Sequence, residues 1–283
     1  NCKLLEVLNV GNNKLVDHFP CMLRDSNSLR VLVLRFNQFN GNLTCNVTIN
    51  SWQNLQIIDI ASNNFTGMLN AECFITWRGM MVADDYVETR RNRIQYKFLQ
   101  LSNLYYQDTV TITNKGMEMK LVKILRVYTA IDFSSNRFQG MTPYTVGDVS
   151  SLYVLNLSHN ALEGPIPKSI RMLQMLESLD LSTNHLSGEI PSELSSLTFL
   201  AALNLSFNKL FGKIPSINQF LTFSADSFEG NRGLCGFPLN NNCESNGSES
   251  LSLLPPTSVP DSDSDYEWKF IFTAVGYIVG AAN

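Results

Sequence analysis

LYVLNLSHNALEGPIP (Leu152–Pro167), LESLDLSTNHLSGEIP (Leu176–Pro191) and LAALNLSFNKLFGKIP (Leu200–Pro215) are three copies of one pattern, with starts 24 residues apart. A weaker copy, YTAIDFSSNRFQGMTP, starts 24 residues earlier at Tyr128, and three more start at Leu5, Leu29 and Leu55. The L-x-x-L-x-L part predicts a short strand with its leucines inward and the intervening side chains outward, because strand side chains alternate. An asparagine follows in every copy (Asn13, Asn37, Asn63, Asn136, Asn160, Asn184, Asn208), where the chain turns away from the strand. Its amide can satisfy turning backbone groups that no sheet ladder reaches. One such coil cannot bury its leucines alone, so the copies stack into an α/β solenoid with short parallel strands on its concave face.

The composition narrows the function. A formal net charge of −4 argues against a partner held through phosphates. The three histidines (His18, His159, His185) are scattered and the six cysteines form no CxxC pair, so no metal site or cofactor is implied. No Ser/His/Asp, Cys/His or paired-carboxylate set recurs, so the chain does not read as an enzyme. Asn-X-Ser/Thr sequons at Asn42, Asn46, Asn64, Asn156, Asn204 and Asn246, with an even cysteine count, point to secretion. The chain starts at Asn1 with no leader, as expected of a fragment or a mature piece. The outward strand positions are the candidate contact surface. They include Arg35, Phe36, Asp59, Asp132, Tyr153, His159 and Phe207.

Between Leu55 and Tyr128 the repeat frame vanishes, so residues 74–127 read as an insertion. It is basic, with nine Lys/Arg against five Asp/Glu up to Arg126. Its centre, DTVTITNKGMEMK (Asp108–Lys120), alternates around Asn114-Lys115-Gly116 and predicts a β-hairpin. Structureless loops this long are uncommon unless functional.

Counted from the first leucine of its repeat, Cys21 and Cys45 each fall 16 residues in, Cys73 falls 18 in, and Cys2 falls late in the preceding coil. Neighbouring coils lie about 5 Å apart and a disulfide needs Cα atoms within about 7 Å, so Cys2 and Cys73 are out of mutual reach. The arrangement that uses all four is Cys2–Cys21 with Cys45–Cys73. Cys235 and Cys243 follow the last repeat, where a short disulfide loop, with Phe220, Phe223 and Phe228, can cap the exposed end. Residues 244–269 are Ser-, Asn-, Pro- and acid-rich and read as a linker. Phe270 to Ala282 is apolar but short of the roughly 20 residues that span a bilayer, so 270–283 reads as a truncated transmembrane helix. Trp268 and Lys269 suit its outer boundary. Gly276 and Gly280 form a G-x-x-x-G that allows close helix approach in lipid.

The L-x-G-x-I-P endings and the G-N-x-G-L-C-G cap resemble the plant-specific class of leucine-rich repeats. The whole chain is similar to the C-terminal end of a plant receptor-like protein, especially the Verticillium-wilt-resistance type. That resemblance implies leucine-rich repeats over 1–73 (three) and 128–216 (four), an island over 74–127, a disulfide cap over 217–243, an acidic juxtamembrane linker over 244–269 and a membrane helix from 270. It further implies a kinase-less, single-pass plasma-membrane receptor with extracellular repeats that recognises a pathogen- or wall-derived ligand in plant immunity. The family's island motif is matched by Tyr106 and Lys115-Gly116. The resemblance places ligand or co-receptor-kinase contacts at the island and last repeats, with Arg35, Phe36, Tyr153 and Phe207 as candidate contacts. It places an adaptor receptor kinase at Gly276 and Gly280. A developmental peptide receptor and a receptor-kinase ectodomain stay open as alternatives. A soluble polygalacturonase-inhibitor-like protein shares the repeat but lacks the island and the membrane helix.

Overall fold

The computed structural model describes residues 4–43, 51–81, 100–101, 104–105, 110–114, 117–121 and 128–243. Seven three-residue strands pair in parallel into one sheet: Val7–Asn9, Val31–Val33, Ile57–Asp59, Ala130–Asp132, Val154–Asn156, Ser178–Asp180 and Ala202–Asn204. The leucine at the centre of each strand, or its Ile equivalent, faces the core. Leu32, Ile58, Ile131, Leu155 and Leu179 are at most 1% exposed. Burial of such a side chain is worth roughly 1.5–3 kcal/mol, and each coil contributes several.

A second parallel sheet, which the leucine pattern does not announce, runs along the other side of the core. Its strands are Asn40–Gly41, Asn64–Met68, Arg137–Met141, Ala161–Gly164, His185–Glu189, Lys209–Lys213 and Gly233–Cys235. The glycine of L-x-G serves its bend. Gly41, Gly67, Gly140, Gly164, Gly188 and Gly212 all have φ between 74° and 86°, a region other residues resist. Short 3-10 helices, such as Lys168–Met172 and Ser192–Ser196, complete the coils.

The asparagines stitch neighbouring coils together. Asn184 Nδ2 donates to Leu181 and Ser182 carbonyls of its own turn and to the Leu157 carbonyl of the preceding coil, while its Oδ1 accepts from the Leu162 amide. The residue before each asparagine is left-handed, with φ of 52–58° at Asn12, Phe36, Ser62, Ser135, His159, Thr183 and Phe207. Asn231, inside the cap, makes the same set of bonds with Leu205, Phe228, Glu229 and Leu210. The cap is thus an eighth rung of the ladder. Phe220, Phe223, Phe228 and Leu234 close the core beneath it, and Cys235–Cys243 ties its end.

The ladder does not break at the insertion. Ile57–Asp59 pairs directly with Ala130–Asp132. The chain leaves the stack later than expected, however. Helix Ala71–Thr76, capped by Asn70 Oδ1, and the 3-10 turn Arg78–Met80 bury Phe74, Trp77 and Met80 in the core. The Phe74 and Trp77 rings sit 5.1 Å apart, and Trp77 meets Phe133 edge-on at 6.0 Å. Residues 74–81 therefore belong to the third coil, because aromatic burial there outweighs the lost leucine spacing. Beyond them, Val110–Asn114 and Met117–Leu121 form the expected antiparallel hairpin. Gln100–Leu101 pairs with Leu104–Tyr105 in a second, unanticipated one.

Candidate recognition face

Register sets the outward side of the first sheet into rows. One row runs Val7, Val31, Ile57, Ala130, Val154, Ser178, Ala202, and the next Asn9, Val33, Asp59, Asp132, Asn156, Asp180, Asn204. The second row is partly scaffold. Asp132 Oδ1 accepts from the Ser134 amide at 3.0 Å and hydroxyl at 2.6 Å, and Asp180 does the same with Ser182 at 2.9 and 2.7 Å. Asn156 and Asn204 repeat the arrangement with Ser158 and Ser206. At these two sequons the asparagine and serine are consumed in holding a turn, and Asn156 is only 5% exposed. The acceptor side chain of the Asn156 sequon is therefore buried. Asn204 and Asn64 are half-buried and Asn42 is exposed, while Asn46 and Asn246 lie outside the described residues.

Of the expected contact residues, Phe36 and Phe207 are 44% and 54% exposed. They stand at equivalent left-handed positions, where the backbone pushes the side chain off the sheet. Tyr153 is half-buried, its ring stacked on Tyr128 at 5.6 Å. Burial, and then the Glu177 carboxylate, raises the Tyr128 phenol above its usual range. Arg35 is a correction. It is 4% exposed, ion-paired to the buried Asp59 at 3.4 Å, and lies 4.8 Å from the Phe36 ring centre. The pair crosses from one coil to the next, so Arg35 serves the scaffold and positions Phe36 rather than offering itself to a ligand. Spacing placed Arg35 outward, but the proximity of Asp59 in the next coil is not visible in local sequence. Tyr106, Lys115, Gly116, Gly276 and Gly280 lie outside the described residues.

An open hollow of about 400 Å³ sits where the first sheet meets the cap, lined among others by Ser178, Asp180, Ala202, Asn204 and Asp226. Among the described residues no group of acids, histidines and cysteines could hold a metal ion, and no helix is long and apolar enough to cross a membrane.

The cysteines depart from expectation at one point. Cys21 and the Cys235–Cys243 pair are disulfide-bonded. Cys73 is a free buried thiol whose Sγ donates to the Leu43 carbonyl, so the expected Cys45–Cys73 bridge is not formed. Cys73 sits on helix Ala71–Thr76, pointing into the core rather than along the coil edge, which linear coil counting could not foresee. Burial, with Glu72 beside it, pushes this thiol up to about 12. Cys2 and Cys45 lie outside the described residues.

Residues 129–186 match the leucine rich repeat family. The chain is 43% identical over 150 residues to Receptor-like protein 33 of Arabidopsis thaliana, covering 53% of this chain and 16% of that protein. It thus spans less than a fifth of this relative's length. Among solved structures it is similar to the ectodomain of the Arabidopsis thaliana receptor kinase GASSHO1/SCHENGEN3, in complex with CASPARIAN STRIP INTEGRITY FACTOR 2 (28% identity, TM-score 0.62, 86% of this chain and 23% of that one). It is also similar to the Arabidopsis receptor kinase HAESA ectodomain bound to an IDA peptide hormone (29% identity, TM-score 0.53, 86% and 36%). The chain folds as a leucine-rich-repeat solenoid and is similar to a piece of a plant receptor-like protein.

Proposed function

We propose that this chain is the membrane-proximal part of the ectodomain of a kinase-less cell-surface receptor that recognises an extracellular ligand in plant immunity. The observation that carries the reading is the division of labour on the first sheet. The inward leucines and turn asparagines repeat from coil to coil. The outward positions vary: the residue ahead of each turn asparagine is Phe36, Ser62, Ser135, His159, Thr183 and Phe207 in successive coils. A constant scaffold with varied outward side chains suits recognition and offers no catalytic set. Phe207, Phe36 and Tyr153 are the contacts assigned on the coils, with Tyr106, Lys115 and Gly116 on the insertion. Residues 270–283 anchor the chain in the plasma membrane, and Gly276 and Gly280 meet an adaptor receptor kinase that supplies signalling. A co-receptor kinase meets the insertion and the last coils.

A developmental peptide receptor is the second reading, favoured by the peptide-hormone complex of the similar HAESA ectodomain. One experiment addresses both. The full-length receptor is displayed on leaf cells, which are challenged with fungal culture filtrate and, separately, with synthetic plant peptide hormones. The oxidative burst is read for wild type, Phe207→Ala, and Lys115→Ala with Gly116→Ala. A filtrate response lost in these variants at equal surface display is the expected result. A response to hormones alone favours the second reading. A filtrate response unchanged in every variant removes these residues from the site.

A further inference from the structure

We propose that the open edge of the last first-sheet strand, Ala202–Asn204, takes an extended peptide segment with a Lys or Arg side chain, seated in the hollow beside the cap. Each strand from Val31–Val33 to Ser178–Asp180 has a neighbour on both sides, and Ala202–Asn204 has one on one side only. Alternation decides which groups are left over. The Ser178 amide donates to the Tyr153 carbonyl and the Asp180 carbonyl accepts from the Leu157 amide, so Leu179 between them turns its amide and carbonyl toward Ala202–Asn204. The next strand repeats this. The Ala202 amide donates to the Glu177 carbonyl and the Asn204 carbonyl accepts from the Leu181 amide. Leu203 therefore presents its amide and carbonyl to the outer edge, where the first sheet has no further strand.

The cap passes this edge without covering it. It pairs one step later, where the Leu205 amide donates to the Ser227 carbonyl and the Phe207 amide to the Glu229 carbonyl. Counting back from Ser227, the residues at the level of Leu203 are wound into the 3-10 turn Ala225–Ser227. Their groups are satisfied locally, the Ser227 amide by Ser224 and the Ala225 carbonyl by the Phe228 amide. Among the described residues, neither backbone group of Leu203 bonds to the cap. The place of the missing strand is the hollow of about 400 Å³, lined by Ser178, Asp180, Ala202 and Asn204 on the sheet and by Ser224 and Asp226 on the cap. An unpaired strand edge is a template for another extended chain, whose main chain supplies affinity while the adjoining pocket selects a side chain. Asp180 and Asp226 are the charged residues of the lining, and both are acidic. Asp180 spends Oδ1 on the Ser182 turn, which leaves Oδ2 for a cation. The hollow lies at the small end of the roughly 300–1,000 Å³ that ligand pockets span, so it suits a short peptide segment rather than the sheet of a second copy.

The inference goes beyond the recognition reading and does not rest on it. The probe is the acetylated and amidated pentapeptide Thr-Val-Lys-Val-Thr, added to the full chain at up to about 1 mM. Hydrogen exchange is followed at single amides. Saturable protection of the Leu203 amide, at least roughly tenfold, with the Leu155 amide unchanged, is the expected result. The same peptide with Glu in place of Lys is expected to give none. Asp180→Asn with Asp226→Asn is expected to weaken binding at least roughly tenfold. Asparagine keeps the turn at position 180, as Asn156 and Asn204 keep theirs. Ala202→Phe, at a part-exposed position, is expected to fill the hollow and abolish the protection. A Leu203 amide already as slow as Leu155 before peptide is added overturns the proposal. So does Leu203 exchange unchanged at about 1 mM peptide, or equal protection by the Glu peptide or in the aspartate double variant. No elicitor and no part of the insertion enters this test, so its failure leaves the recognition reading standing.

Discussion

Asn136 Nδ2 donates to the carbonyl oxygen of Ile60, 76 positions earlier, at 3.0 Å. Its Oδ1 accepts from the Phe65 amide at 3.1 Å. Every other rung of the ladder joins residues 21–29 positions apart. This one makes the same contacts around the whole insertion, so the coils before and after it form one stack. Asn136→Ala leaves buried groups on both coils unsatisfied and is expected to cost about 1–3 kcal/mol. Asn13→Ala, at an exposed site in the first described coil, is expected to stay within about 0.5 kcal/mol. Denaturant unfolding of the two variants checks the difference.

Arg35 and Asp59 give a second prediction. Removing Arg35 takes the opposite charge away from the buried Asp59, so Arg35→Ala is expected to destabilise the chain by about 3 kcal/mol. Arg35→Met with Asp59→Leu is expected to recover most of that loss. A double variant no more stable than Arg35→Ala, measured by the same unfolding curves, would contradict this account of the pair.

The cap depends on a short covalent loop. Opening Cys235–Cys243, with a sequence separation of 8, by serine at both positions is expected to cost about 2–3 kcal/mol on loop-closure grounds. Because Phe220, Phe223 and Phe228 still pack on the last coil, the damage should stay local. Limited proteolysis should cut first after residue 215 while the coils before it resist.

Cys73 predicts an alkaline limit. The folded thiol holds its proton to about 12, while an unfolded one releases it near 9.0. Ionisation therefore favours the unfolded chain. This contribution to stability is complete below pH 9 and is lost between 9 and 12. Cys73→Ser is expected to flatten that alkaline decline, as followed by unfolding midpoints across the range. Native Cys73 is also expected to resist alkylation at neutral pH.

Much of this architecture was legible because it is local. The recurring L-x-x-L-x-L pattern located six of the seven first-sheet strands and a weaker copy located the seventh, Ala130–Asp132. The Asn114-Lys115-Gly116 turn signal located the hairpin. What escaped depends on neighbours in space. Phe74 and Trp77 stay in the third coil because Phe133, some sixty positions on in the chain, receives them. Arg35 is buried because Asp59 comes up one coil later. Asn231 was readable in principle, as an asparagine ahead of an apolar residue at coil spacing from Asn208, but its shortened coil hid it.

The continuous stack is tested most directly by native-state hydrogen exchange at the Phe65 and Ala130 amides. These donate to Asn136 Oδ1 and the Gln56 carbonyl, the bonds that span the insertion. The account predicts protection within roughly tenfold of the Phe138 and Leu162 amides, which play the same part in uninterrupted coils. Fast exchange at Phe65 and Ala130 with Phe138 and Leu162 still protected would mean that the insertion divides the solenoid in two.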